Sequence, residues 1–280
     1  MLRTRILSTL IAVPILTWLI WCGSWPFLIL IIVAILLSLF EFYNMPKVKG
    51  LRILRITAMI CGIALALCAW RGNIYYLNTL LTASILLLLI MQLFGKKPLE
   101  TITNLSYTIL GLIYVGWLLS HQLPLRRLPF GREYILLLFW ITWSGDIGAY
   151  TFGTILGKHK LIPRVSPRKS VEGAVGGLFL SLTSAFLAYF FLEESPFLGK
   201  WLSSPGLSLV HYLILGLILG IVGQFGDLCE SLLKRGAQIK DAGGIIPGHG
   251  GLLDVIDSLL FTSPIMYYYI VHVVGRLRFF

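Results

Sequence analysis

Charged residues are scarce in this chain of 280 residues, where they make up 12% of the sequence against 57% hydrophobic residues. The mean hydropathy is +0.86, and apolar runs of roughly twenty residues recur from one end to the other. A soluble globular core has no use for so many long apolar segments. The scarcity of charge therefore argues against an ordinary soluble domain and indicates a polytopic membrane protein.

Several common signatures are absent as well. The four cysteines form no CxxC pair, which favours packing over zinc or redox chemistry. No Walker A phosphate loop is present. No small-x-small cleavage site follows the first apolar run, so an uncleaved first helix is predicted. Internal repeats and low-complexity linkers are also missing, which favours a single integrated membrane domain.

The apolar runs predict an all-α fold of about nine transmembrane helices. If the N-terminus is cytoplasmic, the loops on that side hold sixteen of the 23 Lys and Arg residues, and only the loop around Arg126 to Arg132 opposes the positive-inside rule. The predicted orientation is therefore N-terminus in and C-terminus out. The predicted spans lie near residues 6–24, 27–45, 53–70, 74–94, 101–123, 134–156, 173–192, 207–234 and 252–274.

The net charge of +11 comes from basic residues in short loops beside these spans. Anionic headgroups and substrate phosphates are nearer partners for such residues than nucleic acid, so nucleic-acid binding is not expected. Glycine and acidic residues are unevenly distributed, with 20 of the 28 glycines and nine of the twelve acidic residues after residue 133. We therefore expect a five-helix scaffold over residues 1–133 and a four-helix catalytic region with cytoplasmic loops over residues 134–280.

The stretch LLDVIDS, residues 252–258, places Asp254 and Asp257 three residues apart on a predicted helix. Their carboxylates should share one face about a turn apart. Two hard oxygen ligands in this arrangement suit a magnesium ion that also holds substrate phosphates. Asp254 could instead cap the helix N-terminus, but that reading leaves Asp257 unexplained.

The preceding loop, PGHGG at residues 247–251, has three glycines, Gly248, Gly250 and Gly251. Glycine lets the backbone approach a ligand closely, and N–H groups ahead of a helix attract anions. His249 could contact phosphate or cap the loop. A plain turn is the alternative interpretation of this stretch.

The eighth predicted span ends in a polar stripe, because Asp227, Glu230, Ser231 and Lys234 follow one another at helical spacing. Such a stripe could hold a metal at its acidic end and phosphate at its basic end. Ion pairing between Glu230 and Lys234 within the helix is the alternative for those two residues. Asp227 lies one turn deeper, where solvation is poor.

A third cluster runs from Gly145 to Gly177. Asp146 lies within an apolar span, and the following loop contains a turn that reads SPRKS, residues 166–170. Its cations could act only as a topology determinant, but the company of Gly, Pro, Ser and Asp favours a polyanion site. Glu172 could pair with Arg168 or cap the seventh span. The cations of this loop are Lys158, Lys160, Arg164, Arg168 and Lys169.

Together these residues resemble the phosphatidate cytidylyltransferases, also called CDP-diacylglycerol synthases. The resemblance covers about residues 140–264, and Val255 departs from the family, many members of which carry Arg there. The motif stands here as Ser231, Lys234, Arg235, Lys240, Asp241, Pro247 to Gly251, Asp254, Asp257 and Ser258.

The resemblance implies that CTP reacts with phosphatidic acid to give CDP-diacylglycerol and pyrophosphate, with magnesium as the cofactor. It also implies that the reaction takes place at the cytoplasmic face of the inner membrane. It implies Asp227, Asp254 and Asp257 as ligands of magnesium, with a second cation and a ligand role for Asp146 left open. Catalytic roles are expected for these three aspartates with Lys234 and Arg235. Substrate binding is expected from Lys158, Ser166, Arg168, Lys169, Ser170, Glu172, Ser231, Lys240, Asp241, Gly248, His249, Gly250, Gly251 and Ser258.

Two alternatives stay open at this point. Buried carboxylates with glycine-interrupted helices also mark ion-coupled transporters, although no inverted repeat is visible here. Another CTP-dependent lipid enzyme, such as a lipid kinase, would also use these groups. The small-residue face from Gly173 to Gly177 would permit close helix contacts, and a homodimer is considered for that reason.

Overall fold

The chain is almost entirely helical in a computed structural model that describes residues 2–45, 54–72, 74–94, 98–195, 202–246, 248 and 250–275. The first part contains α1 (Leu2–Cys22), α2 (Ser24–Asn44), α3 (Arg55–Trp70) and α4 (Ile74–Leu93). A 3-10 turn (Pro98–Glu100) then leads into α5 (Thr101–Gly111), a π-helical segment (Leu112–Trp117), α6 (Leu118–Ser120) and α7 (Gln122–Arg127).

The second part contains longer helices and one small hairpin. Helix α8 (Gly131–Leu156) leads into the antiparallel strands β1 (Lys160–Ile162) and β2 (Ser166–Ser170). Helix α9 (Val171–Tyr189) follows and ends in a π-helical segment (Phe190–Glu194). The remaining helices are α10 (Leu209–Gly236) and α11 (Leu253–Tyr269), which continues as a π-helical segment (Ile270–Val274).

The predicted all-α membrane fold is confirmed. Within the described residues six helices are long and apolar enough to cross a membrane, and two shorter apolar helices accompany them. Large apolar side chains on these helices are exposed, such as Ile56 at 76% and Leu93 at 80%, as lipid contact requires. All nine predicted spans fall on helices, while their number and the orientation of the termini stay predictions.

The chain forms two compact units. The first unit consists of Met1–Arg127 and Gly236–Ile256, and the second consists of Leu128–Arg235 and Asp257–Phe280. The predicted scaffold and catalytic halves are a functional division, which these boundaries do not test. Helix α11 contributes its first turn to the first unit and the rest of its length to the second.

Two arginines cap helices in the first unit. Arg126 donates from Nε and one Nη to the carbonyl oxygen of Ile20, at 3.2 and 3.1 Å, near the C-terminal end of α1. Arg127 donates to the carbonyl oxygen of Trp70 at the end of α3 and lies over its indole ring, 5.3 Å from the centroid. Cations stabilise helix C-termini, so these residues have a structural reason to oppose the positive-inside rule.

Glycine permits close helix packing in the second unit. A Cβ atom placed on Gly148 of α8 would lie 2.7 Å from the carbonyl oxygen of Gly176 and 3.1 Å from Cα of Gly177. A Cβ atom on Gly216 of α10 would lie 2.7 Å from Cβ of Ala185. Small residues let membrane helices approach backbone to backbone. The face from Gly173 to Gly177 packs on α8 of its own chain, so it gives the predicted homodimer no support.

We expect Gly148→Ala to destabilise the second unit, because the added methyl group would meet backbone atoms that cannot move aside without shifting α9. Overpacking of this kind costs about 1–3 kcal/mol, which should lower the thermal unfolding midpoint in detergent by roughly 5 °C. Gly236→Ala is the matched control, since nothing lies within 4 Å of the added atom. Equal midpoints for the two variants would contradict the packing described here.

Candidate active site

The polar stripe predicted on the eighth span lies along one side of α10. Glu230 is fully buried and forms an ion pair with Lys234, one turn further along the helix. The pairing considered as the alternative for these two residues is thus present. Asp227, one turn earlier, keeps 38% of its side chain exposed.

A glycine brings α11 against this stripe. A Cβ atom placed on Gly226 would lie only 2.8 Å from the carbonyl oxygen of Asp257 and 3.2 Å from Cα of Ser258. This close approach puts the carboxylate of Asp257, a residue that is 7% exposed, beside those of Asp227 and Glu230. One carboxylate oxygen from each of the three lies within 4.8 Å of the other two. We call Asp227, Glu230 and Asp257 the carboxylate cluster.

Two further elements of the second unit reach the carboxylate cluster. Lys169, on strand β2, places its Nζ 2.6 Å from Oδ2 of Asp227. Asp146, on α8, interacts electrostatically with Asp227 and Asp257, and its Oδ1 accepts a hydrogen bond from Ser258 Oγ at 3.1 Å. Four elements distant in sequence therefore place their polar side chains at one position.

The donor set fits a hard divalent cation. With Asp146, the carboxylate cluster contains four carboxylates, which face the two ammonium groups of Lys169 and Lys234. When all are ionised, two negative charges are left over, and buried like charges repel strongly unless they are balanced. Carboxylate oxygens are the ligands that magnesium prefers. A divalent ion would balance the charge and satisfy these oxygens.

The hairpin residues are mostly held by contacts of their own. Ser170 caps α9, since its Oγ accepts a hydrogen bond from the N–H of Gly173 at 3.1 Å. Glu172 accepts hydrogen bonds from the N–H groups of Lys158 and His159 and contacts the His159 ring at 2.6 Å. Glu172 thus fixes the start of the hairpin. Ser166 and Arg168 lie on β2, half-buried and exposed respectively.

Arg235, at the end of α10, donates from Nε to the carbonyl oxygen of Val165 at 3.2 Å. Because Val165 lies in the turn between β1 and β2, this contact fixes the hairpin against α10. Ser231 is half-buried on the same helix. The hairpin that carries Lys169 is therefore attached to the helix that carries Asp227.

The glycine-rich segment, residues 240–251, belongs to the first unit. Gly248 and Gly250 have φ angles of 86° and 101°, which residues with a side chain rarely adopt. Ile246 and Gly250 exchange backbone hydrogen bonds at 2.9 and 3.2 Å. Lys240 and Asp241 are exposed at the start of the segment. Pro247 and His249 lie outside the described residues.

Carboxylates of the chain itself accept hydrogen bonds from the N–H groups at the start of α11. Asp254 accepts from Gly251 at 2.8 Å and from Ala242 at 3.0 Å. Glu41, a buried residue of α2, accepts from the N–H groups of Leu252 and Leu253 at 3.0 and 2.8 Å. Asp254 therefore holds the loop ahead of α11 rather than the free N–H groups of the helix itself, and a metal role for it stays a prediction.

Comparisons with known proteins identify the family of this chain. A model of the cytidylyltransferase family matches residues 3–273. This chain belongs to that family. Three curated relatives are named phosphatidate cytidylyltransferase: those of Synechocystis sp. and Bacillus subtilis, each 33% identical, and that of Staphylococcus haemolyticus, 34% identical. Each alignment covers 95% of this chain and 96 or 97% of the relative.

The match to this family confirms the resemblance seen in the sequence. It identifies this cytidylyltransferase as an enzyme, a nucleotidyltransferase. Its structure brings the predicted residues Asp146, Lys169, Asp227, Asp257 and Ser258 together. The roles assigned to these and to the other predicted site residues stay predictions.

Two residues near these sites were not among the predicted ones. The sequence places Glu230 in the acidic stripe or in a pair with Lys234, and its position one turn after Asp227 is the available signal. Glu41 falls within the predicted scaffold, residues 1–133. A lone acid near the end of an apolar span marks Glu41 as unusual, but nothing in the sequence connects it with a segment some 200 residues further on.

Proposed function

We propose that this cytidylyltransferase transfers the cytidylyl group of CTP to phosphatidic acid, giving CDP-diacylglycerol and pyrophosphate for phospholipid biosynthesis. The observation that supports this most strongly is the carboxylate cluster with Lys169 and Lys234 beside it. It combines ligands for a divalent cation with fixed positive charge. Both are what a reaction between two polyanions needs.

The chemistry needs little proton transfer. An oxygen of the lipid phosphomonoester attacks the α-phosphorus of CTP, and the bond from that phosphorus to the bridging oxygen of the β-phosphate breaks. The attacking phosphate is already ionised, so no strong general base is required. The barrier comes from repulsion between polyanions and from charge on the departing pyrophosphate, which favours catalysis by positioning and neutralisation.

Asp227, Glu230 and Asp257 would hold magnesium. When bound, such an ion lowers the repulsion between the phosphates and stabilises charge on the leaving oxygen. Ser258 orients Asp146 through the hydrogen bond between their side chains. The predicted metal role of Asp254 and the predicted second cation are kept as parts of this proposal.

Positive charge close to the cluster would bind the triphosphate. Lys169 and Lys234 contact cluster carboxylates directly, so substrate phosphates that approach the cluster also approach both ammonium groups. Arg235 and Arg168 extend this basic region along α10 and β2. Lys240 would add charge from the glycine-rich segment. The acyl chains of phosphatidic acid would stay in the bilayer.

We propose that the reaction takes place at the cytoplasmic face of the inner membrane. The distribution of Lys and Arg along the sequence supports this side, since the loops that carry Lys169, Lys234 and Lys240 contain many of the basic residues. CTP is a soluble nucleotide, and phosphatidic acid is confined to the bilayer. An interfacial site lets the two meet.

The test is an assay of the purified protein in detergent with magnesium, phosphatidic acid and CTP labelled in either the α- or the γ-phosphate. We expect the α-label in a lipid product and the γ-label in pyrophosphate. Appearance of the γ-label in lipid would instead identify a kinase. Absence of any labelled lipid, with movement of solute across reconstituted vesicles, would favour a transporter.

A further inference from the structure

Glu41 makes specific contacts with a distant part of the chain. It is 3% exposed on α2, within an apolar helix where an ionisable side chain is costly. Its Oε1 accepts a hydrogen bond from the N–H of Leu252 and its Oε2 accepts one from the N–H of Leu253. These donors lie at the start of α11, where unpaired N–H groups and the helix dipole favour a negative charge.

Two glycines make room for this carboxylate. A Cβ atom placed on Gly243 would lie 2.4 Å from Oε1 of Glu41, and one placed on Gly251 would lie 2.6 Å from Oε2. Every other heavy atom that such an atom on Gly243 would approach most closely also belongs to Glu41. Glycine at these two positions is therefore explained by the presence of the carboxylate.

Asp254 holds the same segment through other donors. Its carboxylate accepts from Ala242 and Gly251, and Ile246 pairs with Gly250 across the turn. Asp254 thus holds the glycine-rich segment near its start and at its end, while Glu41 holds the two residues that directly follow it. Without Glu41, the N–H groups of half-buried Leu252 and buried Leu253 would lose their acceptors, which leaves the segment free to shift.

We propose that Glu41 is a positioning residue for the cytidylyl-transfer reaction, acting through the glycine-rich segment rather than by contact with substrate. This inference rests on the proposed function, because the segment carries Lys240, which is predicted to help bind the triphosphate of CTP, and Asp241, which is predicted to bind substrate. Loss of Glu41 should therefore affect the use of CTP and leave the use of lipid nearly unchanged.

The kinetic test compares Glu41→Gln with the wild type. Glutamine keeps the size of the side chain and leaves only one acceptor oxygen for two N–H donors. We expect the KM for CTP to rise about tenfold or more, while the KM for phosphatidic acid changes less than about twofold. Glu41→Asp should show the same pattern more weakly. Equal changes in both KM values, or none, would overturn the proposal.

Glu133→Gln is the matched control. Glu133 is also buried, and it also accepts a hydrogen bond from a backbone N–H group, that of Ser203 at 3.0 Å. It lies in the second unit, whereas the glycine-rich segment belongs to the first. This variant should lose stability without a selective effect on CTP. If Glu133→Gln also raised the KM for CTP alone, the selective effect of Glu41→Gln would be explained by a general loss of stability.

A second measurement does not depend on catalysis. Hydrogen exchange at the amides of Leu252 and Leu253 should become about tenfold faster or more in Glu41→Gln, with amides in the middle of α10 unchanged. Unchanged exchange at both amides would overturn the proposal even if activity fell. If the wild type makes no CDP-diacylglycerol but the exchange result holds, the proposed function fails and the structural role of Glu41 stands.

A double-mutant cycle keeps the inference testable if a single variant folds poorly. Gly243→Ala should impair the use of CTP by itself, because its methyl group would meet the Glu41 carboxylate. Combined with Glu41→Ala it should add no further loss, since the atoms in conflict are gone. Additive losses would show that the two residues act independently and would contradict the proposed contact.

Discussion

Asp257→Asn is expected to abolish cytidylyl transfer while leaving the protein folded. Asparagine has nearly the same shape, but it replaces one of three clustered carboxylates with a neutral amide. We expect turnover to fall by roughly a thousandfold or more, because metal-assisted stabilisation of the phosphates is lost. The measurement is the rate of label transfer from CTP into lipid at saturating magnesium.

The thermal stability of Asp257→Asn shows whether the loss of turnover comes from unfolding. Asp257 is buried beside two other carboxylates, so removing its charge relieves repulsion when no metal is bound. Without magnesium, the variant should therefore unfold at a temperature equal to or above that of the wild type. Activity within about tenfold of the wild type would contradict the metal assignment. The control is Glu194→Gln, which removes an equal charge from the end of the π-helical segment that follows α9 and should leave turnover unchanged.

Glu230→Gln is expected to raise the magnesium concentration needed for activity by roughly 10- to 100-fold. The side chain is fully buried, and its oxygens belong to the carboxylate cluster. Excess magnesium should restore much of the rate, because the charge of Glu230 is already balanced by Lys234 and its loss therefore weakens the metal site less than the loss of Asp257. Activity is measured against magnesium concentration, and binding of Mn²⁺ followed by electron paramagnetic resonance gives a reading independent of turnover.

The matched variant for Glu230 is Lys234→Met, which breaks the same ion pair from its other side. It leaves every cluster carboxylate in place and removes a positive charge, so it should not weaken metal binding. We expect it to weaken the use of CTP more than the use of phosphatidic acid. If Glu230→Gln lowers thermal stability with an unchanged magnesium requirement, its role is confined to the ion pair.

Helical spacing correctly predicted which residues of the candidate site are neighbours on the same helix. Helical spacing placed Asp227, Glu230 and Lys234 on one side of α10, and the structure shows them there. The same rule grouped Asp254 with Asp257. Helical spacing could not show that the carboxylate of Asp254 accepts hydrogen bonds from its own loop. It also could not show that Glu230 is the residue that lies beside Asp257.

Long-range packing explains what local rules missed. Gly226 lets α11 approach α10 closely enough for Asp257 to lie beside Asp227. Strand β2 brings in Lys169 from nearly sixty residues away in sequence, and the hairpin is fixed by the contact of Arg235 with Val165. Periodicity along one helix states which side chains share a face, but it does not state which other element packs on that face.

Composition and motif residues were sufficient to predict the all-α membrane fold and the family of this cytidylyltransferase. A bilayer requires long apolar helices, so the fold is readable from composition and from the length of the apolar runs. The family was indicated by the resemblance of the motif residues to those of the phosphatidate cytidylyltransferases. Tertiary structure alone decided that Asp227, Glu230 and Asp257 meet, and that Glu41 holds the start of α11. These contacts join residues whose proximity depends on how whole helices pack, which no local pattern encodes.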